Sequence, residues 1–468
     1  MLLIYTITYF LSIVFYYMKL NYIASVTMIS LAIFLYVCEM KRLGHIINVR
    51  GLFALGFIGG FGLSLLKLSK LSNNYNIITF IVVYVSYFSI YFGSFLYNKK
   101  HSDDDLANKK NITYKKETLL TNQNKLMIIL FILTFASFIV EVVILKFIPL
   151  FTTDTPHAYS TFHVFMLHYI TTFYIFLPSI AICNYLTSYR TKADVVFIVL
   201  SYLYVIAMAT LMVSRAQLIQ SFVLSIFVLL IYKGKDATKF IFKKSSIILI
   251  ILTIVLFLGL YFVITVNRAH DVKYLNGIFE MKNANIPIFL TQPYMYIAHN
   301  FENLNYMINN VFRLTFGRRV LYPLFTLTLI KKFFPIVVES PYYIIKEELS
   351  TVTLVYDFYY DFGIIGVALF CFIIGYVGSM IEDKAYNKTT EETVVNNNYV
   401  VIICAQFCYY MFFSFFQAYF SLTDTWVYLI MLTLLSLFFK MSKNSNKKRE
   451  KKINKYDGDT EASIESNT

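Results

Sequence analysis

The chain of 468 residues is 58% hydrophobic and only 15% charged, with a mean hydropathy of +0.62, which leaves too little polar surface for a dispersed soluble protein of this size. Its formal charge of +14 would suggest nucleic acid in a soluble chain. Spread over the loops between apolar runs it reads instead as anchoring charge at one membrane face, so no nucleic-acid partner is expected.

The apolar runs are continuous, not ~10-residue alternating segments, so a β-barrel does not fit. The expected fold class is all-α: a polytopic integral membrane protein of about 12 transmembrane helices. In chain order the spans fall at roughly 2–18, 22–38, 51–68, 77–97, 126–148, 164–187, 195–213, 217–232, 245–266, 363–381, 399–421 and 425–440, each apolar enough for a ~30 Å hydrocarbon core. Nine spans thus lie in 1–266, a cap loop in 267–362, three spans in 363–440, and a basic, disordered tail in 441–468.

The connections alternate in charge. Those at 39–50, 98–125, 188–194, 233–244 and 382–398, with the tail from Lys440, hold about 27 of the 41 Lys and Arg. By the positive-inside rule they face the cytoplasm, as do both termini, in a multi-pass protein of the cytoplasmic membrane. The opposite connections are short except for "PLFTTDTPHAYSTFH" at 149–163 and the long segment 267–362. The long segment lacks Gly/Ser runs and is rich in Tyr, Phe, Ile and Leu. Within it "NLNYMINNVFRL" and "PLFTLTLIKKFF" read as short amphipathic helices, and Pro287, Pro293, Pro323, Pro335 and Pro341 divide it into pieces. A large extracytoplasmic loop packed as a cap and partly sunk into the interface is expected.

Arginine breaks the charge rule. Of nine arginines, five (Arg215, Arg268, Arg313, Arg318 and Arg319) fall on the outer side, whereas about 23 of the 32 lysines are cytoplasmic. The planar guanidinium suits bidentate contact with phosphate, and an ammonium does not. Arg215 in "VSRAQ" and Arg268 in "VNRAHD" adjoin span ends, which places them at headgroup depth. Snorkelling toward lipid phosphates would explain any one of them; five beside a folded cap point to an anionic ligand held at the outer boundary.

Acids and histidines share that side. Glu141 sits inside the fifth span, where an ionisable group marks a functional position unless it is a structural pair, with Lys146 or with a neighbouring helix. His270 follows Arg268, and His299 lies in "YIAHNFENLNY"; either is a candidate general base, or simply polar surface. Asp154 and His157 occupy the smaller outer loop. Asp361 stands just before Gly363 and the tenth span, where helix capping explains it. Asp357 has no such role and is the better candidate for orienting an arginine or an acceptor hydroxyl.

No HExxH, Cys/His cluster, Walker loop or dinucleotide fingerprint occurs, "SDDD" at 102–105 lies in a lysine-rich loop, and the five cysteines all lie in apolar runs. Neither metal nor cofactor is expected.

"KFIPLF" closing the fifth span, "SRA" between two later spans and "TVTLVYDFYYDFGIIG" before the tenth, in this order and layout, are similar to the Wzy-type oligosaccharide repeat-unit polymerases. The resemblance covers most of the chain in layout and only short motifs in sequence. It implies a GT-C-like membrane glycosyltransferase that transfers a polyprenyl-diphosphate-linked glycan to an incoming lipid-linked repeat unit, at the outer face of the membrane, in capsule, exopolysaccharide or O-antigen synthesis. It further implies Arg215 and Arg268 as substrate contacts, with a flippase and a chain-length regulator as partners. Three rivals remain. An O-antigen-type ligase is partly echoed by "AHNFENL". A flippase or exporter fits less well with a long cap and no repeat symmetry. A structural envelope component is the third.

Overall fold

The computed structural model describes residues 1–101, 120–152, 161–187, 192–241, 272–283, 285–333, 342–386 and 394–437. No strand occurs among them; one isolated bridge joins Ser69 to Met281. The chain runs α1 (Leu2–Tyr17), α2 (Asn21–Leu43), α3 (Val49–Ser64), α4 (Ile77–His101), α5 (Leu120–Leu145), α6 (Leu167–Thr187), α7 (Lys192–Leu211) and α8 (Arg215–Phe240). After the cap helices α9 (Val272–Phe279), α10 (Ile288–Asn310), α11 (Tyr322–Leu327) and α12 (Ile330–Phe333) come α13 (Tyr356–Tyr386), α14 (Val394–Phe412) and α15 (Thr423–Leu437).

Seven of these, α2, α4, α5, α6, α7, α8 and α13, are long and apolar enough to cross a membrane, and α1, α3, α14 and α15 are shorter apolar helices. The expected ninth span, at about 245–266, lies outside the described residues. The long helices turn broad apolar faces outward: Leu3, Ile7 and Phe10 on α1, Ile132 and Val143 on α5, Val199 and Leu203 on α7, Ile365 on α13. Water would make such surfaces an aggregation hazard, whereas hydrocarbon solvates them. Small hydroxyls are turned inward instead, as with Ser12, Ser86, Ser94 and Ser221.

Side-chain bonds fix the helix directions. On α6 and α8 the Tyr174 hydroxyl donates to Gln217 Oε1 at 2.6 Å. At their other ends Asn398 links Thr187, at 3.2 Å, and Tyr232, so the two helices are parallel. The α4 and α13 helices run parallel, with Ser94 Oγ donating to Gly375 O at 2.9 Å and Tyr97 bonded to Asp383. Their backbones touch: a Cβ at Gly93 would lie 2.1 Å from Phe372 O, and one at Gly375 would lie 2.2 Å from Ile90 O. The absence of side chains at those two positions is what permits the contact.

Two ends of the bundle result. One carries Lys41, Lys99, Lys100, Lys192, Lys233 and Lys384 at helix ends. There the buried Glu39 binds both Arg42 at 2.9 Å and Arg50 at 2.8 Å. The other end carries α9–α12. Helix α10 is tied to the α3–α4 connection by Lys67 Nζ to Glu302 Oε1 at 2.6 Å, Asn73 N to Glu302 Oε2 at 3.0 Å, and the Leu68 N to Tyr294 hydroxyl bond at 2.9 Å. Asn305 binds Asn76 N at 2.9 Å and Thr79 Oγ1 at 2.8 Å. Residues 272–283 and 285–333 are therefore docked on the bundle and not a loose linker.

Three local expectations are corrected. Helix α10 continues through Pro293 instead of breaking there; Pro293 stands early in the helix, so it forfeits one backbone bond without ending it. "PLFTLTLIKKFF" forms two short helices, parted at Leu329 with φ +59°. The helix expected as the tenth span begins seven residues before Gly363, at Tyr356, and bends at Gly363, whose φ of 62° and ψ of −150° belong to a region essentially reserved for glycine.

Candidate functional site

At the cap end, Asp357 stands in the first turn of α13, buried at 2% exposure, and receives Arg319 Nη1 at 3.0 Å; Arg319 is itself 4% exposed. The guanidinium carbon lies 4.2 Å from the Tyr342 ring centre and 4.3 Å from that of Tyr360, so the cation is held between two aromatic faces. Burial alone would favour losing its proton; the neighbouring Asp357 more than reverses that and raises its pKa above the ordinary value.

Asp361 does not cap its own helix. Its carboxylate accepts the backbone N–H groups of Val320 at 2.8 Å and Arg319 at 3.2 Å, and the hydroxyl of Thr315. In return Thr315 N and Phe316 N donate to the carbonyls of Tyr360 and Asp361, at 3.2 and 3.1 Å. The two aspartates thus sew segment 315–320 to α13: one fixes the backbone, the other the side chain of Arg319. Beside this anchored residue, Arg318 and Arg313 are exposed.

On α5, Glu141 is wholly buried and accepts the Val164 backbone N–H at 3.0 Å. Its Oε1 also lies 3.1 Å from Nδ1 of His168, which is 23% exposed at the start of α6. Of the two partners considered for Glu141 the neighbouring helix supplies one, while Lys146 is exposed at the helix end. Arg215 is buried as the first residue of α8, two residues before Gln217, which accepts the Tyr174 hydroxyl. Because α5 to α8 alternate in direction, Glu141, His168 and Arg215 share the end that carries Arg319. Tyr322, three residues after Arg319, lies within electrostatic reach of both Tyr169 and Tyr342. Arg268, His270, Asp154 and His157 lie outside the described residues.

His299, on α10, is 2% exposed, and neither ring nitrogen has a hydrogen-bond partner among the described residues. Its neighbours on the helix are structural: Asn303 binds the carbonyls of Leu349 and Thr351, both at 2.9 Å, and the Thr351 hydroxyl donates to Asn300 at 2.6 Å. Burial, reinforced by Lys346, lowers the His299 pKa from 6.5 to about 4. The folded state therefore binds fewer protons than the unfolded chain between these values, so stability rises with pH across that window. Acidifying the protein from pH 7 to pH 4 should remove about 3 kcal/mol through this residue. Thermal unfolding of His299→Leu in parallel with wild type checks it: the variant should show a flatter dependence between pH 4 and 6.5. Equal slopes would refute the assignment.

Among the described residues no group of three or more His, Cys, Asp or Glu side chains is placed to hold a metal ion. The residues that sequence reasoning passed over are His168 and Lys67. Each acquires its character from a partner distant in the chain, Lys67 from Glu302 for example, and no local spacing announces it.

Comparison of the chain with protein-family models, with curated proteins and with solved structures returns no match.

Proposed function

We propose that the chain is a membrane glycosyltransferase that uses a polyprenyl-diphosphate-linked glycan as donor. Within that class the reading we favour is a repeat-unit polymerase: it joins lipid-linked oligosaccharides at the outer face of the cytoplasmic membrane for capsule, exopolysaccharide or O-antigen synthesis. Its twelve spans would place the lysine-rich end and both termini in the cytoplasm, and the cap outside.

The observation that carries this reading is the concentration of arginine at the cap end of an apolar bundle: Arg215 and the anchored Arg319 with exposed Arg313 and Arg318 beside them. In the transfer the anomeric carbon leaves the diphosphate and bonds to an acceptor hydroxyl. The departing diphosphate gathers charge at headgroup depth, where fixed guanidinium groups stabilise it without reorganisation. Arg313, Arg318, Arg215 and Arg268 are the ligands we assign to it. Arg319, committed to Asp357 and two tyrosine rings, holds the segment that presents Arg318.

Deletion in the host tests the reading. Single repeat units should accumulate on the lipid carrier at the outer leaflet, with polymer absent. Units trapped on the cytoplasmic leaflet would identify a flippase, and normal chain length with loss of attachment to the terminal acceptor would identify a ligase.

A further inference from the structure

Glycosyl transfer to a hydroxyl releases a proton, and the arginine cluster cannot take it. The group that can is not among those that sequence reasoning chose. His168 Nδ1 faces Glu141 Oε1 at 3.1 Å, and a carboxylate there fixes the ring with its hydrogen on Nδ1, which leaves the lone pair on Nε2. Glu141 is itself held by the Val164 N–H at 3.0 Å and is inaccessible to solvent. This is the arrangement by which a buried acid orients a histidine and stabilises the imidazolium that forms. The ring is not sealed in, because a quarter of it remains accessible at the cap end. Around it stand the ring of His163, edge-on at 6.3 Å, and Asp424 at the start of α15, within electrostatic reach. Helix α15 is tied to α6 by the Tyr428 hydroxyl, which donates to Thr172 Oγ1 at 2.6 Å.

We infer that His168, oriented by Glu141, accepts the proton of the acceptor sugar hydroxyl in this reaction. The hydroxyl oxygen bonds to the anomeric carbon of the donor, the bond from that carbon to the diphosphate oxygen breaks with its electron pair passing to the diphosphate, and the proton moves to His168 Nε2. The imidazolium then returns the proton to water. The substrate class at this subsite is the non-reducing terminal sugar of a lipid-linked repeat unit. Glu141 acts through His168 and is a positioning residue. The inference rests on the polymerase reading.

The test uses full-length protein in liposomes with a lipid-linked repeat unit. Wild type should build a ladder; His168→Ala should lower kcat by about 100-fold or more with little change in donor KM, and added imidazole should restore part of the rate. Glu141→Gln, which keeps the shape of the pair, should lower kcat by a smaller factor, about 10-fold. Should His168→Ala not fold, His168→Gln serves with the same expected loss. A His168 variant within twofold of wild type overturns the inference and leaves the polymerase reading intact. So does a loss that tracks thermal destabilisation and resists imidazole. If folded wild type builds no ladder, the polymerase reading falls and the inference with it.

Discussion

Replacing Arg319 with alanine should destabilise the protein by about 3–5 kcal/mol, because it leaves the Asp357 carboxylate charged and buried without its partner. The same change removes the cation from between Tyr342 and Tyr360, so the two rings lose their common filling. Asp357→Ala should cost a similar amount, since a guanidinium is then stranded. The double change Arg319→Met with Asp357→Leu should recover most of that stability, because an apolar pair of similar volume needs no compensation. It should not recover full function, since Asp361 alone would then hold the segment that carries Arg318. Thermal unfolding in detergent across the four proteins measures the coupling. Single variants as stable as wild type would mean that the pair is not the anchor of segment 315–320.

Gly93→Val should be at least as damaging. Its Cβ would stand 2.1 Å from a carbonyl oxygen of Phe372, part of a backbone that cannot rotate away. Separating α4 from α13 would also break the Ser94–Gly375 and Tyr97–Asp383 bonds. About 3 kcal/mol or more is expected, with the same result for Gly375→Val. Gly277→Ala serves as the control: nothing lies within 4 Å of a methyl there, and alanine favours the helix by about 0.5–1 kcal/mol. Wild-type yield and melting temperature for Gly93→Val would show that the two helices do not meet at this glycine.

The long apolar helices were legible because hydrocarbon thickness imposes a run length that composition cannot hide. The run at 77–97 and the helix Ile77–His101 nearly coincide, and where expectation fell on described residues an apolar helix stands in each place. Boundaries failed where polar residues are absorbed by distant partners. Tyr356 to Phe362 read as loop because two aspartates in seven residues look unsuited to a membrane helix. The structure shows one carboxylate spent on Arg319 and the other on the backbone of 319–320, some forty residues earlier in the chain. The arginine excess was visible in the sequence, but not its division into buried Arg215 and Arg319 and exposed Arg313 and Arg318. Glu141 was found by its depth in an apolar run. His168 was not, because it is an ordinary polar residue until α6 folds back and brings it to that acid, 27 positions away in sequence.

On the proposed function, guanidinium groups at the cap end neutralise a departing polyprenyl diphosphate while one repeat unit is joined to another. Purified protein given only a lipid-linked repeat unit tests it most directly. Wild type should yield a ladder of lipid-linked products, and Arg215→Ala and Arg318→Ala should each suppress it by about 100-fold without loss of folded protein, as removal of one oxyanion-stabilising group does elsewhere. A folded wild type that yields no product longer than the starting unit, or an undiminished ladder from both variants, would contradict it.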